Sequence, residues 1–305
     1  MEPFKVYVLG CGSAQPTTHH HASSQVVELR GKVFLVDCAE GTQVEIRRVH
    51  CRFSKLSHIF ISHLHGDHCL GLVGLISSFG LSGRSAPLHV HAHSSFAPLL
   101  QQMLDFFCPN LSFPVVFHPV DTTHSEVVYE DHSLTVTTIP LEHRVPCCGY
   151  LFREKPTLPH IRRDMLDQYH IPLSQIFSIK NGADYITPEG DVIPSEHLVV
   201  PGDPPRSYAY CSDTRYIPTL HKLVKGVNLL YHESTYESSY QHLATAYYHS
   251  TAAEAARVAR DAGAKHLLLG HYSSRYDDVS ALHAEALSIF PHVTMAQEGL
   301  VVDVV

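Results

Sequence analysis

The sequence predicts an α/β protein, in which strands and helices alternate along the chain and pack in layers. Short apolar runs with many β-branched residues recur along most of the 305 residues, and each has the length of a strand. Segments rich in helix formers separate them. The clearest is 251–262, which opens with a capping-box pattern, Thr251 followed by Glu254. Hydrophobic residues make up 44% of the chain, so both kinds of element can share a sizeable core.

The predicted elements follow one another in a regular order. The strands are 4–9, 25–29, 33–36, 58–62, 88–92, 115–118, 134–139, 208–211, 228–231 and 266–269. The helices are 41–50, 69–81, 94–107, 251–262 and 279–289. Helix 94–107 carries a broad apolar face, whereas 69–81 is apolar and contains several glycines. This alternation indicates α/β layers.

The composition excludes several classes of protein. With 22 Lys and Arg against 30 Asp and Glu, the net charge is −8, so a generic polybasic nucleic-acid binder is excluded. A polyanion would have to be held by a local patch or by bound cations. The 8 cysteines form no CxxC pair and indicate reduced thiols in a cytoplasmic protein. We expect neither a signal peptide nor a membrane span, because the chain has no basic start before an apolar stretch and no long apolar run.

One segment departs from the alternation. Residues 153–203 are rich in proline, polar and charged residues and show little apolar periodicity. Such a stretch is usually a functional insertion or a mobile loop, and an ordinary surface excursion is the alternative. Asn181–Gly182 and Glu189–Gly190 predict hairpin turns within it. We therefore predict a single domain, 1–305, that contains 153–203 as an inserted arm.

The segment IFISHLHGDH places four candidate metal ligands directly after a predicted strand. They are His63, His65, Asp67 and His68. Positions i and i+2 of an extended chain point to the same side, so His63 and His65 can bind one ion. The turn at Gly66 then carries Asp67 and His68 toward a second position. A solvated, histidine-rich turn is the alternative, and the 26 histidines of the chain do not by themselves decide between them.

Four side chains cannot complete two metal sites, so other strand ends must supply the remaining ligands. His143, Asp213 and His271 each follow the carboxyl end of a predicted strand. Functional groups collect at this place in α/β folds. Each residue taken alone could be structural, but together they form a credible second half of the site.

Several motifs resemble those of a known family in the same order along the chain. HLHGDH, EHRVPCCGY, SDTR, HEST, AYYHST and LLLGHYSSRY resemble motifs of ribonuclease Z (tRNase Z), the tRNA 3′-processing endoribonuclease of the metallo-β-lactamase superfamily. The resemblance spans about residues 6–290. It implies a four-layer αβ/βα sandwich with two zinc ions per subunit, precursor tRNA as substrate, and a homodimer in which one subunit's arm serves the other subunit's site.

The resemblance also assigns the ligands residue by residue. One zinc is held by His63, His65 and His143, the other by Asp67, His68 and His271, and Asp213 bridges the two. Asp37, in a segment similar to the family's first motif, orients ligand histidines without binding metal.

The resemblance further implies a catalytic set. Two zinc ions activate a water for attack on phosphorus, and Asp67 orients that water or accepts its proton. His249 protonates the leaving ribose oxygen, and Glu233 holds its imidazole. The products carry a 3′-hydroxyl on the tRNA and a 5′-phosphate on the trailer. The alternatives are a solvated His249 and a surface carboxylate at Glu233.

Two departures from the family pattern affect substrate recognition. The loop that commonly reads P-x-K-x-R-N is PTTHHH here, so Thr18 and His20 replace two fixed charges. The arm lacks the family's Gly-Pro element, and its acidic residues outnumber its basic ones. Arg162 and Arg163 are the best local phosphate contacts in the arm. Arg275 is either a phosphate contact or part of a structural salt bridge.

These departures leave two other functions open. One is a di-zinc phosphodiesterase of the same fold that acts on small or non-tRNA phosphodiesters. The other is a non-catalytic RNA-binding scaffold, which the complete ligand set disfavours.

Overall fold

The computed structural model describes residues 2–305, which form two compact units. The larger unit contains Glu2–Glu130, Thr135–Arg153 and Arg206–Val305. The smaller unit contains Asp131–Leu134 and Glu154–Pro205. The second segment of the smaller unit, Glu154–Pro205, therefore agrees within two residues with the predicted arm, whereas Asp131–Leu134 lies outside it, and the role of the arm as an insertion in one domain stays a prediction.

Two seven-stranded sheets form the larger unit. The first contains, in spatial order, Val301–Asp303, Phe4–Gly10, Ser24–Leu29, Lys32–Val36, Leu56–Phe60, Leu88–His93 and Val115–Val120. The second contains, in spatial order, Val293–Met295, His266–Gly270, Leu229–Glu233, Ser207–Cys211, Cys148–Glu154, Leu134–Pro140 and Val127–Glu130. Each sheet is antiparallel at one side and parallel at the other. All ten predicted strands are present. The strands at 127, 293 and 301 were not predicted, because runs of three or four residues carry little apolar pattern, and the seven-residue strand Cys148–Glu154 was also not predicted.

Aromatic rings fill the space between the two sheets. Phe34 of the first sheet lies 5.7 Å from Phe152 of the second, and Phe60 lies 5.1 Å from Tyr150. All four rings are essentially inaccessible to solvent. Burial of such rings contributes about 2 kcal/mol each, so the sheets are fixed face to face and their strand ends are held in register.

The helices cover these sheets. In the larger unit they are Thr42–Arg48, Gly66–Cys69, Leu72–Leu81, Phe96–Phe107, Leu220–Leu223, Gln241–Tyr247, Ala252–Ala262 and Ser280–Leu287. Short 3₁₀ turns lie at Phe53–Lys55 and Ser238–Tyr240. The capping box predicted at Thr251 is present in both directions.

The predicted helix 69–81 is wrong at its start, because the structure divides it into two. At Gly71 the backbone lies so close to the preceding loop that a Cβ would come within 1.9 Å of the Ala39 carbonyl oxygen. The Gly71 amide donates to the Cys38 carbonyl oxygen at 2.9 Å. The break therefore packs the histidine-bearing turn against the loop that carries Asp37.

The smaller unit has its own small core. Ile171, Ile179, Tyr185 and Leu198 are its buried residues. It contains the helices Arg163–Gln168, Ile176–Lys180 and Ser195–Leu198 and the 3₁₀ turn Leu173–Gln175, with strand His160–Ile161 paired to Val199–Val200 and Tyr185–Ile186 paired to Val192–Ile193. Glu189–Gly190 turns the latter hairpin as predicted, with Gly190 at φ 97°. The hairpin predicted at Asn181–Gly182 is wrong, because Asn181 ends a helix there.

Two other sequence expectations have a structural counterpart. The eight cysteines are free thiols, seven of them buried. Within residues 2–305, no helix is long and apolar enough to cross a bilayer.

Candidate metal centre

Three histidines and one aspartate form a first cluster at the ends of the strands. His63 Nε2 lies 3.0 Å from His65 Nδ1, which lies 3.2 Å from His143 Nε2. Asp213 Oδ2 is 3.6 Å from His63 Nε2 and 3.8 Å from His143 Nε2. The spacing of two residues predicted for His63 and His65 therefore does bring their nitrogens together, and two later strand ends meet them.

A second cluster adjoins the first through Asp213. Asp67 Oδ2 lies 3.5 Å from His68 Nε2 and 3.9 Å from His271 Nε2. Asp213 Oδ1, the other oxygen of the carboxylate, lies 3.4 Å from His68 Nε2 and 3.1 Å from His271 Nε2. One carboxylate thus presents one oxygen to each cluster, which is the arrangement of a group that bridges two cations.

The buried donor atoms of the second cluster fit a metal ion. His68 Nε2, His271 Nε2 and Asp213 Oδ1 are inaccessible to solvent and have no hydrogen-bond partner. Leaving a buried polar atom unpaired costs about 1–3 kcal/mol. Three such atoms that converge on one point are satisfied together by a cation. Imidazole nitrogen and carboxylate oxygen are the donors that zinc accepts.

Hydrogen bonds at the far ring nitrogens fix which nitrogen each histidine presents. His68 Nδ1 donates to Asp37 Oδ2 at 2.7 Å, and His143 Nδ1 donates to the Tyr248 carbonyl oxygen at 2.9 Å. His271 Nδ1 lies 2.9 Å from the hydroxyl of Thr235. Each bond leaves the Nε2 lone pair directed into the cluster, and such outer partners typically raise metal affinity 10–100-fold.

Asp37 anchors this arrangement from inside the core. It is fully buried at φ 57°, and its Oδ2 also accepts from the hydroxyls of Ser62 and Tyr210 at 2.9 and 2.8 Å. The amide of Ser62 donates to Oδ1 at 2.7 Å. Asp37 therefore contacts His68, a predicted ligand, and does not reach the cluster centre.

The electrostatics of the clusters favour a cation. Burial lowers the pKa values of His63 and His143, so these rings stay neutral and keep a lone pair for a metal. Burial opposes ionisation of Asp213, but the imidazoles of His271 and His68 outweigh it and hold the pKa of its carboxyl well below the usual range. An ionised carboxylate among imidazole nitrogens is a donor set that zinc accepts, and a bound ion would displace any remaining imidazolium proton on a ligand nitrogen.

Glu233 and His249 form a buried pair beside the clusters. His249 Nδ1 donates to Glu233 Oε1 at 2.8 Å. The other oxygen of Glu233 accepts from the amide and hydroxyl of Thr235 at 3.1 and 2.6 Å. The His249 ring lies 5.1 Å from His143 and 5.3 Å from His271. The alternatives of a solvated histidine and a surface carboxylate are therefore wrong.

The carboxylate of Glu233 favours the protonated form of His249. Burial by itself lowers the pKa of His249, but the Glu233 carboxylate outweighs it, so the net shift is upward. An imidazolium with Nδ1 engaged by a carboxylate has only its Nε2 proton to give away. His249 also groups with Asp213 and His271 as a possible ligand set, so a metal role is the competing interpretation.

An open cleft of about 640 Å³ lies over both clusters. Asp67, Asp213, His143, His249 and His271 reach its wall. The loop after the first strand forms another part of the wall, and its Ala14 amide donates to Asp67 Oδ2 at 2.8 Å. A phosphodiester that enters the cleft therefore meets the clusters and the proton-bearing pair on the same surface.

The three arginines predicted to contact RNA lie in different surroundings. The guanidinium carbon of Arg275 lies 5.2 Å from the ring centre of Tyr236 and 4.5 Å from that of Tyr240. Arg275 therefore makes cation–π contacts and not the salt bridge that was the alternative to a phosphate contact. Arg162, in the smaller unit, pairs with Asp164 at 2.7 Å. Arg163 is exposed at the start of a helix in that unit.

Sequence reasoning missed two contributors to the centre. Thr235 lies two residues after Glu233, a spacing that could have suggested a shared side of the strand end. Tyr248 contributes only a backbone carbonyl, which has no sequence signal.

The chain is similar to proteins of known class. Ribonuclease Z of Bacteroides fragilis is 55% identical over 98% of this chain and 99% of its own length. The crystal structure of human tRNase Z, short form, covers 99% of both chains with a TM-score of 0.72 at 22% identity. That of the metallo-β-lactamase fold protein YhfI from Bacillus subtilis covers 99% of this chain and all of its own, with a TM-score of 0.68 at 21% identity. The family model described as "Anti-Pycsar protein Apyc1" matches residues 4–156.

The two sheets and these structural likenesses define a metallo-β-lactamase fold, so the predicted fold class is confirmed. By its whole-length identity to curated relatives, the chain belongs to the ribonuclease Z family, and its residues 4–156 also belong to the family described as Anti-Pycsar protein Apyc1. The predicted family and the predicted enzyme class, a phosphodiester-cleaving endoribonuclease, are thereby confirmed.

Proposed function

We propose that this protein is a zinc-dependent endoribonuclease that removes the 3′ trailer from precursor tRNA. The single observation that carries the proposal is the Asp213 carboxylate, which divides its two oxygens between two ligand clusters beside the Glu233–His249 pair. A bridged pair of cations next to a proton donor is suited to phosphodiester hydrolysis. The family membership supports tRNA as the substrate.

Two zinc ions per subunit fit the donor set. We assign His63, His65 and His143 to one ion, Asp67, His68 and His271 to the other, and Asp213 to both. When bound, the ions supply positive charge for the phosphate and lower the pKa of water.

The chain's own groups divide the proton transfers. The Asp67 carboxylate is ionised, because the neighbouring imidazoles of His271 and His68 outweigh burial and hold its pKa well below the usual range. It therefore orients the attacking water through a hydrogen bond and accepts the proton that this water loses as its oxygen bonds to phosphorus. His249 gives its Nε2 proton to the ribose 3′-oxygen as the bond between that oxygen and phosphorus breaks. The tRNA keeps a 3′-hydroxyl and the trailer keeps the 5′-phosphate.

Substrate binding and assembly extend the proposal. The smaller unit, with Arg162 and Arg163 on its surface, acts as an arm that holds tRNA, and a homodimer lets each arm serve the partner's cleft. Arg275 contacts phosphate at the cleft. The free thiols and the absence of a helix that could cross a bilayer within residues 2–305 fit a cytoplasmic site of action.

A direct assay tests this proposal. Precursor tRNAs with and without an encoded CCA, and bis(p-nitrophenyl) phosphate as a small diester, are incubated with the zinc-loaded protein and with the chelated protein. We expect the zinc-loaded protein to release the trailer, leaving a 3′-hydroxyl on the tRNA and a 5′-phosphate on the trailer. Chelation should abolish this cleavage, and added zinc should restore it. Hydrolysis of the small diester without trailer release would instead assign a phosphodiesterase of small substrates. RNA binding without any hydrolysis would assign a scaffold.

Glu233→Gln tests the proton-donating pair through the pH dependence of kcat. A general acid acts when protonated, so the rate is present below the pKa of His249 and is lost as the pH rises through it. Removal of the carboxylate charge removes the interaction that raises this pKa. We expect the alkaline limb of the profile to move to lower pH, whereas Glu237→Gln, four residues along the chain and half-buried, leaves it in place. An unshifted limb would contradict the pairing.

A further inference from the structure

Three side chains outside the two clusters converge at the base of the loop that lines the cleft. Cys11 Sγ lies 3.3 Å from His20 Nδ1, which lies 3.0 Å from Glu298 Oε2. Cys11 Sγ is 3.6 Å from Glu298 Oε1. The proposed function uses none of these residues, and His20 stands where the family commonly has arginine.

The spacing of these donors is close to that of three ligands around one tetrahedral ion. With zinc bonds of about 2.3 Å to sulfur and 2.1 Å to nitrogen or oxygen, tetrahedral angles separate the ligand atoms by about 3.4–3.6 Å. Cys11 Sγ lies 3.3 Å from His20 Nδ1, and His20 Nδ1 lies 3.0 Å from Glu298 Oε2, both within about 0.4 Å of this range. The 3.6 Å from Cys11 Sγ is to the other carboxylate oxygen, Oε1, and one donor atom from each residue lies within 4.8 Å of the other two. The first catalytic cluster, described likewise without an ion, has donor separations of 3.0 to 3.8 Å.

The cluster is held in place by its surroundings. Cys11 is fully buried, and the side chains of His20 and Glu298 are only 24% and 16% exposed. Glu298 Oε1 accepts from the His21 amide at 2.9 Å, and the Cys11 amide donates to the His21 carbonyl oxygen at 3.0 Å. The three donors, drawn from a strand end, a loop and the carboxyl-terminal region, therefore meet without rearrangement of the backbone.

We propose that Cys11, His20 and Glu298 form a third metal site, distinct from the catalytic pair, for a zinc-type divalent cation. Thiolate, imidazole and carboxylate are the ligand types that zinc combines, and a water takes the fourth position. On binding, the Cys11 thiol releases its proton to solvent, and a sulfur–metal bond replaces the hydrogen bonds among the three side chains. This site goes beyond the proposed function, because its existence does not depend on the substrate.

A cation at this site would affect the loop that lines the cleft. Cys11 and His20 bracket the loop whose residues Ser13 to Pro16 line the cleft, and Ala14 of that loop donates to Asp67. A cation bound at the base of the loop joins its two ends to Glu298. It therefore restrains the loop against the metal-binding turn, in the region where the family commonly has fixed positive charges.

Cobalt provides a test that needs no activity measurement. The apoprotein is titrated with Co²⁺ and followed by near-ultraviolet absorption, where a thiolate-to-cobalt charge-transfer band reports sulfur ligation. The proposed catalytic ligands are histidine and aspartate only, and the nearby thiols of Cys69 and Cys147 donate to backbone carbonyl oxygens. We expect the wild type to bind three equivalents and to show the band, and Cys11→Ser to bind two and lose it. Cys51→Ser, which alters another buried thiol, should retain both.

Glu298→Gln keeps the thiol and removes one charged ligand, so the band should persist with weaker Co²⁺ binding. Absence of the band from the wild type, or its persistence in Cys11→Ser, would overturn the proposal. If Cys11→Ser does not fold, the presence or absence of the charge-transfer band in the wild type still tests whether a thiolate binds cobalt. The cobalt titration measures metal binding and not cleavage. A failure of tRNA cleavage would therefore contradict the proposed function without changing the conclusion about the third metal site.

Discussion

Asp67→Ala is expected to lower kcat for precursor-tRNA cleavage by on the order of 10³-fold or more, because it removes a metal ligand and the group that orients the attacking water. Asp67 Oδ2 faces His68 and His271 and accepts from the Ala14 amide, so the variant loses three contacts at one oxygen. Single-turnover cleavage of 5′-labelled precursor tRNA measures the loss. Metal analysis of the same preparation should show weaker binding at the second cluster.

The fold should survive this substitution, because the side chain is at the cleft surface and not in the core between the sheets. Circular dichroism and the thermal midpoint should stay near those of the wild type. Asp105→Ala, which removes an exposed carboxylate from helix Phe96–Phe107, provides the matched control and should cleave normally. Substantial residual activity in a folded, metal-loaded Asp67→Ala protein would refute the assignment of Asp67.

His249→Ala is expected to lower kcat by roughly 10²-fold or more, because the ribose 3′-oxygen is a poor leaving group unless it is protonated. The same variant should hydrolyse bis(p-nitrophenyl) phosphate at nearly the wild-type rate, since p-nitrophenolate leaves without a proton. Comparison of the two substrates in one preparation therefore separates proton donation from a general loss of the site.

The alternative metal role of His249 predicts a different pattern. If His249 binds a cation with Asp213 and His271, the alanine variant loses metal, and the rates for precursor tRNA and for bis(p-nitrophenyl) phosphate fall by similar factors. Zinc content measured beside the two rates decides between the interpretations. His242→Ala, an exposed histidine in the same segment, controls for the loss of an imidazole and should behave as the wild type.

The fold could be predicted from the sequence where the signal is local. Apolar periodicity located all ten predicted strands, and the capping box marked the start of helix Ala252–Ala262. The break in the predicted helix 69–81 could not be predicted, because it depends on contact between Gly71 and the carbonyl of Ala39. Similarly, Asn181–Gly182 has the residues of a hairpin turn, but a helix precedes it and ends there.

The candidate site shows the same division. The spacing of His63, His65, Asp67 and His68 is a local feature, and the structure brings these residues together with the later strand-end residues. The partner that fixes the ring of His143 is the carbonyl of Tyr248, which every residue type possesses and no sequence pattern marks.

The sequence by itself determined the α/β class and the types and order of the candidate ligand residues, because periodicity and short spacings act between near neighbours. The tertiary structure decided which oxygen of Asp213 faces which cluster, which nitrogen each histidine presents, and that Cys11 meets Glu298 across 287 residues. These features depend on the packing of the two sheets, whose strand ends bring distant segments to one edge. Coordination and proton transfer require placement to within a few tenths of an ångström, and only that packing supplies it.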